Sequence, residues 1–134
     1  MESPASKPKT ARAVVAAFAA ALFAKSFLVD FMIAEGNSMV PSIKSGTVML
    51  VNRAAYGILV PFSSRYLVRW SVPRPGEIVV FPSPDGRLAV KRSEDSGIEG
   101  FFLAIGDNEG SSYDSRAYGP VANDRALGRV VGIR

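Results

Sequence analysis

The sequence predicts a mainly β fold, a compact antiparallel-sheet domain set behind one N-terminal helix. Three observations carry that prediction. Every residue from Ala13 to Ala24 is apolar, an uninterrupted run that suits a helix. After Gly36 the texture changes to short apolar runs broken by turn residues, with no amphipathic helix of useful length. The composition, 48% hydrophobic with 12 Gly and 9 Pro in 134 residues, has room for one turn-rich domain.

Residues 1–12, MESPASKPKTAR, are polar, hold two prolines and carry Lys7, Lys9 and Arg12, which predicts a disordered basic tail. The apolar run follows. Continued through KSFLVDFMI to Ile33 it has 21 residues, about 31 Å of helix, enough to cross a bilayer core. Lys25 and Asp30 interrupt it. Three readings fit the segment. A cleaved secretory signal matches the basic start, with Ala19-Ala20-Ala21 as its cleavage site. A buried helix of a soluble domain accommodates the two charges. A transmembrane helix over 13–33 matches the total length, with Lys25 reaching for the interface at a cost of up to about 3 kcal/mol. Flanking charge hardly fixes an orientation, because the basic tail is balanced by Lys44 and Arg53 on the other side.

Residues 34–134 form the predicted β-rich domain. TVMLVNR (47–53), EIVVF (77–81), RLAVKR (87–92), FFLAI (101–105) and GRVVGI (128–133) are its strands. SVPRPGE, PSPDG and IGDNEGSS between them are turns. The stretch AAYGILVPFSSRYLVRW (54–70) mixes four aromatics with Arg65 and Arg69, as membrane-interface segments do, and is read as a long loop packed on the sheet.

A net charge of +4 and a pI near 9.7 suit an anionic partner. The basic residues are scattered and form no stripe, which favours a lipid bilayer over nucleic acid. Without cysteine there are no disulfides or thiolate metal sites, and without histidine a metal would have only oxygen ligands, so no metal or cofactor is expected. The missing histidine also rules out a Ser-His-Asp triad. If Ser38 in GNSMVPSI (36–43) is a nucleophile, its base must be a lysine, a carboxylate or the amino terminus. Taken singly the candidates are bland. Ser38 reads as a turn residue, Lys91 as a solvated strand charge, and GDNEGSSYDSR (106–116) as a loop. Period-2 alternation puts Leu88, Val90 and Arg92 on one strand face and Ala89 with Lys91 on the other.

Their order says more. GNSMVPSI, VNRAAYGI, PRPGEIVVF, VKR and GDNEGSSYDSRAYGPV, in that sequence, resemble the bacterial type I signal peptidase (leader peptidase) family from about Gly36 to the C-terminus. In that family a membrane anchor ends just before the nucleophile, and here Ser38 lies five residues beyond Ile33, which favours the transmembrane reading of 13–33. The resemblance implies a single-pass protein of the cell membrane with its catalytic domain outside the cytoplasm, removing signal peptides from preproteins. It implies a Ser-Lys dyad, with Ser38 as nucleophile, Lys91 as general base and Ser112 orienting the amine by a hydrogen bond. A free lysine titrates near 10.4, so desolvation would have to lower Lys91. Asp114 and Arg116 would form an ion pair under the Ser112 loop, Asp107 and Asn108 would lead into it, and Arg92 would point away from Lys91. The substrate would lie as an added strand between the segment before Ser38 and RLAVK, with small side chains in shallow pockets near Met39, Ile43, Ala89 and Val90, which favours Ala-x-Ala-like sites.

Three features depart from the family pattern. Gly36 stands where many members have an oxyanion-donating serine, leaving backbone N–H groups such as that of Ser38. Glu109 replaces a basic residue after GDN. Only 13 residues, SEDSGIEGFFLAI, separate VKR from GDN, without the usual glycine-rich block and further strands. A self-cleaving Ser-Lys regulator and a non-catalytic or specialised membrane homologue are the competing readings; the apolar segment and the DSR string argue against the first, and the short 93–105 segment is what favours the second.

Overall fold

The computed structural model describes residues 7–134. Helix α1 runs from Lys7 to Leu28. Residues 7–12, expected within a disordered tail, are therefore helical, and residues 1–6 lie outside the described residues. Alanine, the strongest helix former, recurs through α1. The helix ends sooner than the apolar run. Val29–Ile33 is strand β1, paired antiparallel with β2 (Val48–Asn52) from Val29↔Asn52 to Ile33↔Val48. The segment expected as one helix over 13–33 is thus split between two elements. Five ladder positions on β2 satisfy this backbone in place of a further helical turn. Leu28 and Val29 are consecutive, so no linker separates helix from strand. Among the described residues no helix is long and apolar enough to cross a membrane.

Strands β3 (Gly57–Leu59) and β4 (Tyr66–Arg69) form a separate antiparallel hairpin inside the stretch expected to be a loop. Gly57 permits it, because a Cβ there would strike the Val68 carbonyl oxygen and lie 2.8 Å from Arg69 Cα. The remaining strands are β5 (Ile78–Pro82), β6 (Leu88–Asp95), β7 (Phe101–Ile105), β8 (Val121–Ala122) and β9 (Gly128–Ile133). With β1 and β2 they build a seven-stranded sheet in the order β1-β2-β9-β5-β6-β7-β8. Its pairs are all antiparallel. The five predicted strands are β2, β5, β6, β7 and β9, and the mainly β antiparallel expectation holds.

Two apolar clusters hold the sheet. Tyr56, Val79, Phe81, Phe102, Ala104, Val121 and Ala126 form one, in which Phe81 and Phe102 meet edge to face at 5.9 Å. Burying such a ring contributes about 1.5 to 3 kcal/mol. Met39, Ile43 and Met49 form the other, flanked by Met32, Ile78 and Val90. The two sides of β6 are covered unequally. β5 pairs with it from Leu88 to Arg92, whereas β7 does so only from Arg92 to Asp95. On the β7 side Leu88–Lys91 keep a free strand edge.

Candidate active site

Ser38 sits on a turn held from below. Val40 N–H bonds Asn37 O at 3.2 Å, Ile43 N–H bonds Met39 O at 2.9 Å, and the Met39 and Ile43 side chains are buried in the second cluster. β6 brings Lys91 to it from 53 residues away, and Lys91 Nζ lies 2.7 Å from Ser38 Oγ. Lys91 is only 6% exposed, so the solvated strand charge expected from alternation alone is in fact a buried amine. Burial lowers its pKa below the ordinary lysine value; Asp114 works against this and Arg116 with it.

The GDN-to-DSR segment closes over the pair. Asp114 is fully buried and is the hub. Its Oδ2 accepts from Gly106 N–H at 2.8 Å, Ser112 Oγ at 2.6 Å and Arg116 Nη2 at 2.7 Å; its Oδ1 accepts from Arg116 N–H at 3.0 Å and Nε at 3.1 Å. Burial alone would raise its pKa, but these donors outweigh it and hold the carboxyl well below the usual range. Arg116 Nη2 also donates to Gly106 O at 3.0 Å, and Nη1 lies 3.6 Å from Glu109. The acidic residue in the unusual position after GDN therefore has a partner on the same loop. Asp114 also caps the single turn of helix α2 (Ser115–Tyr118).

Asn108 ties this loop to the serine turn. Its N–H bonds Ser38 O at 2.8 Å and its Nδ2 bonds Asn37 O at 3.0 Å. Asp107 receives Arg92 in a two-pronged contact, Nε to Oδ1 and Nη2 to Oδ2, each 2.8 Å. That hydrogen bonding lowers the Asp107 pKa. Arg92 Nη2 also reaches Ser42 Oγ at 3.3 Å, so the guanidinium joins the serine turn to the loop. Ser112 differs from expectation: its hydroxyl donates to Asp114, and among the described residues no hydrogen bond joins it to the Lys91 amine.

Beside the pair a cleft of about 640 Å³ runs between residues 32–38 and residues 87–91, with Met39, Ile43, Ala89 and Val90 in its lining. Sequence reasoning missed Met32 and Met49 on its floor and Asp85, Arg87 and Tyr113 at its rim. It also took Gly106 only for a turn. A Cβ at Gly106 would lie 2.5 Å from Ser112 Cβ and 2.8 Å from Ser38 O, so the glycine lets three chain segments meet. Among the described residues no acidic cluster suits a metal ion.

Residues 8–94, which include Ser38 and Lys91, match the family described as signal peptidase, peptidase S26. The chain belongs to this family. Signal peptidase I of Buchnera aphidicola subsp. Schizaphis graminum (strain Sg) is 34% identical over 65 residues, covering 48% of this chain and 20% of that protein. Signal peptidase I of Buchnera aphidicola subsp. Acyrthosiphon pisum (strain APS) is 37% identical over 68 residues, covering 50% and 21%. The matched segment thus spans about a fifth of the length of these signal peptidase relatives. The family match ends at residue 94. The contacts of residues 106–116 with Ser38 are independent of it.

Proposed function

We propose that this signal peptidase family member is a membrane-anchored serine endopeptidase that removes signal peptides from exported proteins, cutting after small residues in Ala-x-Ala-like sites. The observation that carries the reading is the 2.7 Å contact between the buried Lys91 amine and Ser38 Oγ, with no carboxylate among the described residues bonded to the amine. Neutral Lys91 takes the proton of Ser38, and Oγ attacks the scissile carbonyl carbon. The oxyanion accepts from the Ser38 backbone N–H, since Gly36 offers no hydroxyl. Collapse breaks the C–N bond, and the Lys91 ammonium gives its proton to the leaving amine of the mature protein. Water, deprotonated by Lys91, then hydrolyses the acyl-serine, restores the Ser38 hydroxyl and frees the signal peptide carboxylate. Ser112, its proton committed to Asp114, keeps lone pairs to orient the amine after it leaves Ser38.

The free β6 edge and residues 32–36 give an extended peptide two flanking backbones, and Met39, Ile43, Ala89 and Val90 leave room for small side chains. Residues 29–134, with β1 as an edge strand of the sheet, make up the peptidase domain, and α1 is its anchor. Val14 (62%), Phe18 (67%) and Phe23 (65%) are exposed along α1, a surface that water does not favour. Ala13–Leu28 extends about 24 Å, short of a bilayer core of about 30 Å. Phe31 and Ile33, exposed on β1, extend the apolar surface toward the domain. The N-terminus lies on the cytoplasmic side and the domain outside.

Purified protein incubated with a preprotein should yield a new N-terminus just after an Ala-x-Ala-like site, read by sequencing; an intact preprotein refutes the activity. Carbonate extraction should leave the chain in the membrane, and protease added to spheroplasts should degrade the domain. Release by carbonate, or full protection, refutes the anchor or its orientation.

A further inference from the structure

A second cavity, of about 1010 Å³, opens between the last turns of α1 and the β3–β4 hairpin. Its walls are apolar, with Phe23 and Phe27 from the helix and Ile58, Val60 and Leu67 from the hairpin. Among the described residues Arg53 is the one charged member of its lining, and it lies 3.9 Å from Asp30. Such a groove excludes charged and extended polar segments and favours an apolar one. Its position identifies which apolar segment.

Leu88 lines both this groove and the catalytic cleft, so the two are contiguous. Leu88 and Lys91 are three positions apart on the free edge of β6, about 10 Å at about 3.3 Å per residue. A peptide whose scissile carbonyl sits at Ser38, and whose preceding residues follow that edge, reaches Leu88 about four residues before the cut. Its next residues meet the groove. We infer that the groove between α1 and the β3–β4 hairpin seats the apolar core of the signal peptide, upstream of the cleavage site. The inference rests on the peptidase reading and deepens it: β6 selects the residues at the cut, and the hairpin selects what lies before them. A lipid chain would need neither contiguity with the cleft nor a set distance from it.

Ile58 and Leu67 are 46% and 70% exposed, so Ile58→Asn and Leu67→Asn leave the core untouched. The full chain in detergent is given two substrates, a preprotein and a short peptide that spans the Ala-x-Ala site without an apolar core. Each variant should raise KM for the preprotein about tenfold, as expected for losing one buried aliphatic contact. Values of kcat, and cleavage of the short peptide, should stay unchanged. A benzophenone amino acid at Leu67 in the Ser38→Ala chain should crosslink to the apolar core of the preprotein. Equal losses on both substrates, no loss on either, or crosslinks only to the mature part overturn the inference. So does loss of binding to anionic phospholipid vesicles with an unchanged preprotein KM, which would assign the groove to lipid. If the native chain cleaves neither substrate, the peptidase reading fails, and the crosslink still decides what the groove holds.

Discussion

Gly106→Ala adds one methyl group at the most crowded point of the site. Its Cβ would lie 2.5 Å from Ser112 Cβ, closer still to Ser112 Oγ, and 2.8 Å from Ser38 O, where ordinary contact begins at 3.4 Å. The deficits, 3.4 − 2.5 = 0.9 Å and 3.4 − 2.8 = 0.6 Å, must be taken up by moving the Ser112 loop and the Ser38 turn apart. Overpacking of this kind costs about 1 to 3 kcal/mol. That lowers the melting temperature by roughly 5 to 15 °C. Activity should suffer more than stability. A shift of about 1 Å between nucleophile and base costs on the order of 100-fold in rate, and the displaced segment carries both Ser38 and its bond to Asn108 N–H. Peptide cleavage and thermal melting measured on the same sample separate the two effects. Adding Ser112→Gly removes the two closest contacts but also the Ser112 bond to the buried Asp114, so it should recover only part of the lost stability, while the Ser38 contact and the reduced rate remain. A Gly106→Ala chain with a native melting temperature and a rate within threefold of native would refute this account of the site.

Ser38→Ala and Lys91→Ala should each abolish cleavage without unfolding the chain, and the double variant should be no worse than either, because residues acting as one unit lose the same function once; full activity in Lys91→Ala refutes the dyad. The cleavage rate should rise with pH through an acid limb below the ordinary lysine value, since burial lowers the Lys91 pKa and the neutral amine is the base. An acid limb near pH 4 would point to a carboxylate instead. Asp114 is held below its unfolded value of about 3.9, so its contribution to stability is complete above that pH and is lost as pH falls toward its folded value. Thermal melts should therefore weaken below about pH 4, and Asp114→Asn should be less stable at neutral pH and flatter in acid; an unchanged acid slope in that variant contradicts the assignment.

Strands whose apolar runs end at turn residues were legible. FFLAI (101–105) coincides with β7, and GRVVGI (128–133) with β9, because Gly100 and Gly106 bound the first, Gly128 opens the second, and tertiary contacts leave these limits in place. VDFMI was not legible, since an apolar run that continues a helix carries no period to distinguish it from one. Only its pairing with β2, some twenty residues away, decides its state. The β3–β4 hairpin was missed for a related reason: β3 has only three residues, too few to show a period, and the four residues of β4 are mostly exposed and do not alternate. The pairing of Ser38 with Lys91 was expected from the order of the motifs, whereas the burial of Lys91 was not. Its burial depends on the serine turn and the 106–116 loop folding over β6, which no property of RLAVKR itself reveals. Ser112 was found by its place in the motif, but its bond to Asp114 was not, because the pull of the carboxylate two residues on acts on the hydroxyl proton.

The direct passage from Leu28 into Val29 turns the molecule into a depth gauge. β1 spans about 17 Å before the chain turns at Gly36 toward Ser38, and its one-to-one ladder with β2 leaves no slack in that distance. Any surface that holds α1 therefore finds the serine at one height above it. A residue inserted between helix and strand would not raise that height freely, because it would turn the helix by about 100° against the sheet. On the proposed reading of α1 as an anchor and Ser38 as nucleophile, peptide bonds that emerge from the same surface at a greater or smaller height stay out of reach, whatever side chains flank them.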